Sequence, residues 1–563
     1  MDSVSGPLAA PLDDPLYYLR NFEWVLGWVT DRYSDLLRDD ERAFVAEFSA
    51  LPTASRALLV RMVMRKGALF RADKLDYPEV GPVSLAAAAL VARGWLDPRP
   101  VLDLDSVFRL FTKPRLADWF ATPLAQAGVA GARKAVWLET LRPLYPEPAR
   151  PEGWGVPEGA LFGLTIMPLC DRFRLMFFGN LFQDWSEFVL SELGTFQYEP
   201  VSFCAASRPF QHRDEIDAYL RLHRCRERLD EGAELAELAA ALPEPTGDNP
   251  WLLRRLHRLR YRIAREWERA GELAEADALY RGCRHPGARG RRLRVLERQA
   301  DYRACLDLAG EADRNPESEA ERQQLDRLLP RLHRKLGLPR AQAPAAPPVA
   351  RLDWCLPYRD GERVEARVAA HLWEEDPAAT VYYVENALLT GLFGLLCWEA
   401  IFAPLPGAFF HPFQSAPADL HWPDFRDRRA ALFERCFETL ESGEYRRIII
   451  ERFRQKYGRL CVFVNWGALD EVLIGQALGC IPAAHLALCF RRLLADLKEN
   501  RAGLPDLIRF WPAQSRYQMV EVKGPGDRLQ DNQRRWLDFF ARHEMPVAVC
   551  YVRWDAPPAN EPS

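Results

Sequence analysis

Apolar and polar residues follow two different periods along this chain, and the period changes between its regions. In residues 15–50 and 51–98, apolar residues recur at three- and four-residue steps, which predicts helices that each bury one face. A Leu-rich pattern with the same period in residues 101–144 predicts a further pair of helices. We therefore expect a helical amino-terminal region, in which residues 51–98 form a small helical or winged-helix unit.

The middle of the chain, residues 213–337, continues with one helical pattern after another. Leu259–Gly271 followed by Glu272–Tyr280, with a turn at Gly271, is similar to a tetratricopeptide-type helical hairpin. Pro-rich stretches at 145–160 and 338–349 predict linkers. This region is therefore expected to form a helical domain of its own.

Near the carboxyl end the pattern changes to short apolar runs. Leu507–Phe510, directly after Asp506, and Met519–Val522, which contains Glu521, both predict short buried strands. The turn sequence at residues 524–526 ends the second strand. The other elements expected in this region are helices over 361–375, 382–402, 481–500 and 531–543, and strand-like runs at 448–450, 460–464 and 546–552. This order predicts an α/β domain of the restriction-endonuclease type.

Two acids and a lysine fall at the ends of the two strands. Side chains alternate along a strand, so Glu521 and Lys523 point to one face and Val522 points to the other. Burying these groups with Asp506 is costly unless a cation and an anionic substrate join them. Hard carboxylate oxygens suit Mg²⁺ or Mn²⁺. The spacing is typical of metal-dependent restriction-like nucleases, and a surface ion-pair cluster is the alternative interpretation.

Composition limits where a nucleic acid could bind. The chain has 563 residues, enough for three or four domains, and its 48% hydrophobic and 27% charged content is ordinary for a soluble globular protein. Its net charge of −4 argues against a uniformly basic coat, so any nucleic-acid surface must be local. Only eight of the 75 basic residues are lysines. GC-rich coding is the preferred explanation of this bias, which also makes Lys523 less typical of a surface residue.

Basic residues that could contact DNA lie in two regions, residues 101–144 and residues 251–300. Residues 251–300 hold fourteen arginines against six acids, and several arginines recur at helical spacing on one face. Such a face is either a phosphate-binding track or a solvated helix surface. The candidate DNA contacts from both regions are Lys113, Arg115, Arg133, Lys134, Arg254, Arg258 and Arg262.

The cysteines and apolar runs bear on the cellular compartment. The twelve cysteines form no CxxC pair, and no signal peptide precedes them, which is typical of reduced thiols in a cytosolic protein. There is no uncharged apolar run of about 18 residues, so we expect no membrane-spanning helix.

Several motifs resemble the Fanconi-associated nucleases, whose catalytic part is called the VRR-NUC domain. The motifs that carry the resemblance are Gly503-Leu504-Pro505-Asp506-Leu507, Glu521-Val522-Lys523-Gly524-Pro525, Asp527-Arg528-Leu529, Leu392-Phe393-Gly394-Leu395-Leu396-Cys397-Trp398, and Phe178-Gly179-Asn180-Leu181-Phe182-Gln183-Asp184-Trp185. The resemblance implies a multidomain, mostly α protein. Its implied parts are an N-terminal helical segment (1–50), a winged-helix and SAP-like DNA-binding region (51–200), a tetratricopeptide-like domain (213–337) and a VRR-NUC nuclease domain (350–563).

The resemblance also implies an activity and a site. Members of the family cut 5′ flaps, degrade DNA from 5′ ends and act in interstrand crosslink repair. Their helix glutamate falls on Glu385, which with Asp506, Glu521 and the carbonyl of Val522 would hold Mg²⁺ or Mn²⁺. Lys523 would position the attacking water or balance charge in the transition state, and Gln533 would orient Lys523 or contact the DNA backbone.

Other interpretations stay open at this stage. A Holliday-junction-type resolvase has the same catalytic core, and a non-catalytic DNA-repair scaffold would have lost the activity. The zinc finger of animal members is absent, which favours a bacterial origin and a cytoplasmic, nucleoid-associated location. The expected partner is branched or flapped double-stranded DNA, without a membrane, and we also consider two copies cooperating on DNA.

Overall fold

The computed structural model describes residues 14–157, 159–185, 187, 197–243, 247–339 and 348–555. The chain divides into two compact units, residues 1–196 with 208–216 and residues 197–207 with 217–563. The second unit contains nearly all of the region expected to be tetratricopeptide-like and the whole region expected to be the nuclease. The domain limits given by the sequence patterns stay predictions, and part of the second linker, residues 340–347, lies outside the described residues.

The first unit is mostly helical, with one small sheet. Its strands β1 (Leu69–Arg71), β2 (Leu96–Asp97) and β3 (Leu161–Leu164) pair antiparallel in the order β1-β3-β2. Its helices are Tyr17–Arg32, Asp39–Ala50, Thr53–Val63, Val83–Ala92, Leu104–Leu110, Lys113–Trp119, Ala121–Gln126, Lys134–Leu141 and Met167–Phe178. Short strands beside the helices of residues 51–98 confirm the winged-helix expectation.

Residues 101–144 differ from the predicted pair of helices. They form four short helices rather than two. Pro114 lies in the first turn of Lys113–Trp119, where its missing N–H costs nothing, and it prevents the preceding helix from continuing. The apolar spacing correctly predicted helices with a buried face, but the chain divides them into four short helices instead of two.

The helical part of the second unit forms antiparallel hairpins. Pro250–Ala270 and Leu273–Arg281 pack together and meet at Gly271, whose φ of 92° is left-handed. This hairpin agrees with the turn predicted at Gly271. The helices of this part are Arg213–Asp230, Leu235–Ala240, Pro250–Ala270, Leu273–Arg281, Ala288–Arg298, Tyr302–Arg314 and Glu319–Lys335.

The rest of the second unit is built on a five-stranded mixed sheet. Its strands, in the order β4-β8-β7-β6-β5, are β4 (Ala350–Pro357), β5 (Thr380–Tyr383), β6 (Leu507–Trp511), β7 (Arg516–Lys523) and β8 (Val547–Asp555). β8 runs parallel to both β4 and β7, whereas β6 runs antiparallel to β5 and β7. The sequence predicted the three central strands and missed both edge strands. Edge strands bury little, so β4 and β5 lack the apolar signature that marks the centre.

Helices cover this sheet, and a large apolar core around Trp398 and Trp536 lies between them. The helices are Val364–Glu375, Leu388–Leu396, Trp398–Ile401, Ala430–Ser442, Tyr445–Lys456, Glu471–Cys480, Ala483–Ala495 and Asp531–Arg542. The predicted helices over 361–375, 481–500 and 531–543 are therefore present, although each is somewhat shorter than expected.

Three predicted elements of this region are wrong. Residues 448–450 belong to the helix Tyr445–Lys456, because only Ile449 is fully buried and its neighbours lie at the sides of the same helix. Residues 460–464 form a turn rather than a strand. The expected helix over 382–402 is divided, since residues 380–383 form β5 and the next helix starts at Leu388.

No single helix in the described ranges has both the length and the apolar character needed to cross a membrane. Glu471–Cys480 and Ala483–Ala495, bent by 110° at their junction, satisfy the length and composition criteria only as a pair. Both helices contribute side chains to the apolar core around Trp398 and Trp536.

Candidate functional site

Asp506, Glu521 and Lys523 meet at the ends of β6 and β7. The backbone N–H of Val522 donates a hydrogen bond to Asp506 Oδ2 at 2.8 Å. Lys523 Nζ lies 2.7 Å from Glu521 Oε1. All three charged side chains are buried, with exposures of 7% for Asp506, 0% for Glu521 and 7% for Lys523. The predicted convergence at the strand ends is therefore present, and a surface ion-pair cluster does not describe it.

Glu385 joins this group from a turn rather than from a helix. It follows β5 and precedes the helix that starts at Leu388. The N–H of Val384 donates to the carbonyl of Asp506 at 2.8 Å. The Oδ1 of Asn386 accepts the N–H of Leu504 at 3.1 Å. Both neighbours of Glu385 are thus tied to the segment that carries Asp506, which places the glutamate beside the buried acids.

The turn that carries Glu385 has an uncommon conformation. Asn386 has a φ of 52°, in the left-handed region that Asn tolerates better than most residues. Its Nδ2 donates to Glu385 Oε1 at 3.4 Å, and the Tyr383 hydroxyl donates to Glu385 Oε2. Sequence reasoning missed Tyr383 and Asn386. An Asn directly after an acid is a turn signal that could have indicated the second of them.

The buried carboxyl groups hold protons more tightly than ordinary acids. Burial, with the nearby charges of Glu385 and Glu365, raises the pKa of Asp506 to about 6, although Val522 N–H and Lys523 act in the opposite direction. Burial and the charge of Asp506 raise the pKa of Glu521 to about 7, against the lowering effect of Lys523. Crowded, desolvated carboxylates of this kind gain from a bound cation.

The donor set suits a hard divalent cation. Both carboxylate oxygens of Glu521 are buried: Oε1 faces the Lys523 ammonium at 2.7 Å, and Oε2 has no hydrogen-bond partner among the described residues. The pairing of β6 with β7 ends at Leu507 and Val520. Beyond this point, the edge of β7 that was paired with β6 faces Asp506. The N–H of Val522 points to that side, and in a strand the carbonyl of the same residue points the same way. The carbonyl of Val522 is therefore directed to the side of Asp506.

Within the described ranges, no three or more His, Cys, Asp or Glu side chains are close enough to hold an ion by themselves. A metal bound here would take oxygen ligands from the backbone, water or substrate as well as from the acids, which is how Mg²⁺ is usually held.

The side chain of Gln533 caps the start of the helix that carries it. Its side-chain oxygen accepts the N–H of Gln530 at 2.8 Å, and the two glutamines form a capping box at the start of Asp531–Arg542. No hydrogen bond joins Gln533 to Lys523 in the described part of the chain. Its contact with Lys523 or DNA stays a prediction.

The four candidate DNA-binding side chains of the first unit differ in their exposure and in their contacts within the fold. Lys134 Nζ donates to the carbonyl of Phe111 at 2.7 Å, so this ammonium is already used within the fold. Lys113 lies over the ring of Trp137, with Nζ 4.8 Å from the ring centre. Arg115 and Arg133 are exposed. Their role in binding phosphate stays a prediction.

The arginine face of Pro250–Ala270 is divided between packing and solvent. Arg254 lies 4.7 Å from the ring centre of Trp422, and burial lowers its pKa to about 10. Arg262 forms an ion pair with Asp230 at 2.5 Å. Arg258 is exposed and has no ion pair within the described ranges. Arg258 is thus the most accessible cation of the three.

Two cations that sequence reasoning did not associate, Arg258 and Lys498, lie close enough to His285 to act on it electrostatically. Burial, Lys498 and Arg258 together lower the pKa of His285. Lys498 is exposed and follows the helix Ala483–Ala495, so the chain brings it to the helical hairpins from more than two hundred residues away. No local pattern marks this pair of cations.

Family models match three parts of the chain. Residues 440–554 match the VRR-NUC domain, residues 16–97 match the model described as FAN1, HTH domain, and residues 101–154 match the Fanconi anemia-associated nuclease SAP domain. The first range contains Asp506, Glu521 and Lys523.

Curated relatives carry the same family name. The chain is 55% identical over 551 residues to the Fanconi-associated nuclease 1 homolog of Pseudomonas aeruginosa, covering 97% of this chain and 98% of the relative. It is 26% identical over 613 residues to the homolog of Oryza sativa, covering 95% of this chain and 62% of that protein. Fanconi-associated nuclease 1 of Danio rerio is 34% identical over 173 residues, which is 30% of this chain and 18% of that protein.

Solved structures agree with the fold. The crystal structure of paFAN1 bound to 2nt 5′ flap DNA with a gap superposes with a TM-score of 0.93 at 55% identity, covering 97% of this chain and 100% of that one. Another crystal structure of paFAN1, bound to 1nt 5′ flap DNA with a gap, gives a TM-score of 0.91 over the same shares of the two chains.

Proposed function

We propose that this chain, which belongs to the Fanconi-associated nuclease family, cuts 5′-flapped duplex DNA at the site formed by Asp506, Glu521, Lys523 and Glu385. It is a DNA nuclease, and its family depends on divalent metal ions. The main support for the proposal is the backbone hydrogen bond from Val384 to Asp506. It holds the turn of Glu385, which is distant in the sequence, close to the buried carboxyl groups. Mg²⁺ or Mn²⁺ is the proposed cofactor.

Each residue of the site has a proposed role. Asp506, Glu521, Glu385 and the carbonyl of Val522 would hold the metal. A bound divalent ion polarises the phosphodiester and makes water a stronger nucleophile. Lys523, whose Nζ lies 2.7 Å from Glu521 Oε1, places a positive charge beside these carboxylates. Its ammonium would orient the attacking water or stabilise charge that develops on the phosphate oxygens.

Substrate choice would come from surfaces outside the catalytic group. We propose that Arg258 and Lys498, which both act on His285, contact backbone phosphates and supply a local positive surface in an acidic protein. The proposed biological role is interstrand crosslink repair in a bacterial cytoplasm, by cutting flaps and degrading DNA from 5′ ends. Cooperation of two copies on one DNA is part of the same proposal.

A cleavage assay separates this proposal from its alternatives. Wild-type protein and Lys523→Ala are incubated with end-labelled 5′-flap duplex or four-way junction and Mn²⁺. We expect the wild type to cut the flap faster than the junction, and the variant to be slower by roughly a hundredfold or more, because a charge that stabilises the transition state is lost. Preference for the junction would favour a resolvase, and no cutting at all would favour a scaffold. Equal cutting by the variant would remove the proposed site.

Low pH should inhibit DNA cleavage through protonation of the two buried acids. Asp506 and Glu521 have pKa values of about 6 and about 7, so protons compete with the metal between pH 5 and pH 8. At low Mn²⁺ we expect the cleavage rate to rise with pH over this range. Raising Mn²⁺ should move the midpoint of the profile to lower pH. A profile that does not respond to Mn²⁺ would contradict these acids as ligands.

A further inference from the structure

Tyr383 is the last residue of β5 and lies next to the metal site. Its backbone is in register with Leu507, the residue after Asp506. Its hydroxyl donates a hydrogen bond to Oε2 of Glu385. The side chain is 48% exposed, so this tyrosine is not held in place by burial alone.

The carboxylate of Glu385 is not held in place by burial or by its main chain. It lies in a turn, it is exposed, and the backbone contact of Val384 with Asp506 fixes its main chain but not its carboxylate. Of the two hydrogen bonds to the carboxylate, the one from Asn386 is long at 3.4 Å. The Tyr383 hydroxyl is therefore the stronger constraint on where the carboxylate oxygens point.

We propose that Tyr383 is a positioning residue, whose hydroxyl aims the Glu385 carboxylate at the metal held by Asp506 and Glu521. The inference rests on the proposed function, because that function makes Glu385 a ligand. Hydrogen bonds that orient metal ligands typically contribute about ten- to a hundredfold to metal affinity.

The chain offers a control for Tyr383 on the same strand. Its neighbour Tyr382 offers a matched comparison, since its ring packs against Phe510 and its hydroxyl has no hydrogen bond in the described part of the chain.

The test measures Mn²⁺ binding to the metal-free, full-length protein by calorimetry. We expect Tyr383→Phe to bind Mn²⁺ about tenfold more weakly than the wild type. Tyr382→Phe should bind as the wild type does. Neither change removes a buried group, so thermal unfolding of the metal-free variants should match the wild type.

Cleavage of flap DNA gives a second readout that a structural defect would not reproduce. The Mn²⁺ concentration for half-maximal rate should rise about tenfold in Tyr383→Phe, and the rate at saturating Mn²⁺ should recover to within about threefold of the wild type. A lower rate that Mn²⁺ does not rescue would overturn the positioning role.

Glu385→Gln separates failure of this inference from failure of the proposed function. If Glu385→Gln binds Mn²⁺ weakly and Tyr383→Phe binds it normally, the positioning role is wrong and the site stands. If Glu385→Gln binds Mn²⁺ as the wild type does, Glu385 is not a ligand, and both the proposed site and this inference are overturned.

Discussion

Asp506→Asn is expected to lower the rate of flap cleavage by about a thousandfold or more, and at the same time to stabilise the metal-free protein at pH 8. Asn keeps an oxygen that can accept the Val522 N–H, but it removes the negative charge that the metal requires. Removing a group that acts directly on the reacting atoms commonly costs this much in rate.

The gain in stability follows from the proton equilibrium of Asp506. Its pKa in the folded protein, about 6, lies above the ordinary value of 3.8, so the folded state binds this proton more tightly than the unfolded chain. The contribution of Asp506 to stability therefore falls as pH rises from about 4 to about 6, and its full cost is present at pH 8. Asn does not ionise, so we expect a gain on the order of 2 kcal/mol at pH 8 that disappears near pH 4.

The gain in stability is measured by urea unfolding in the presence of a chelator, at pH 8 and at pH 4. The loss of activity is measured as the initial cleavage rate in Mn²⁺. Asp531→Asn is the matched control of opposite sign. The ion pair with Arg327 lowers the pKa of Asp531, so its replacement should weaken the folded protein at pH 8. An Asp506→Asn protein that cuts DNA normally, or that is less stable at pH 8, would refute the account of this site.

Gly503→Ala is expected to destabilise the protein by about 3 kcal/mol and to slow cleavage by at least about tenfold. Gly503 has a φ of 90°, and a Cβ at this position would lie 2.7 Å from the backbone carbon of Asn532. Backbone cannot move aside as a flexible side chain can. The added methyl would push the segment Leu504–Asp506, which Asn386 and Val384 hold in place, away from the catalytic group.

Gly526→Ala is the control that isolates the contact from the backbone strain. Gly526 has a similar φ of 87°, but nothing lies within 4 Å of its Cβ position. Its replacement should cost only the strain of a left-handed alanine, about 1 kcal/mol. Chemical unfolding and cleavage rates of the two variants make the comparison. Equal losses would mean that the close approach of Gly503 to Asn532 does not hold the site together.

Much of the fold near the site was predictable from local patterns. β6, β7 and β8 are buried on both sides, so their residues form short apolar runs that stand out from their surroundings. The hairpin at Gly271 was predictable for a similar reason, since a period of three and four residues ended at a glycine. The Ile448–Ile450 run was misread, because three consecutive apolar residues satisfy a strand and a helix equally well.

The basic residues show where local patterns stop being informative. Arg254, Arg258 and Arg262 share one spacing and one helix, yet Trp422 covers the first and Asp230 pairs with the third. Only the middle arginine stays exposed without an ion pair in the described part of the chain. Their partners lie on other elements, so the helical pattern could not distinguish them.

Strand patterns near the carboxyl end were enough to single out Asp506, Glu521 and Lys523 as a candidate nuclease site. Glu521 and Lys523 are two residues apart on β7, so strand alternation alone places them on one face, and Asp506 directly precedes β6, which pairs with β7. Long-range packing, rather than any local pattern, brings Glu385 to them through a left-handed turn at Asn386 and the hydrogen bond between Val384 and Asp506. The physical reason is distance along the chain: strand geometry acts between neighbouring residues, whereas this contact spans more than a hundred residues and depends on the packing of everything between them.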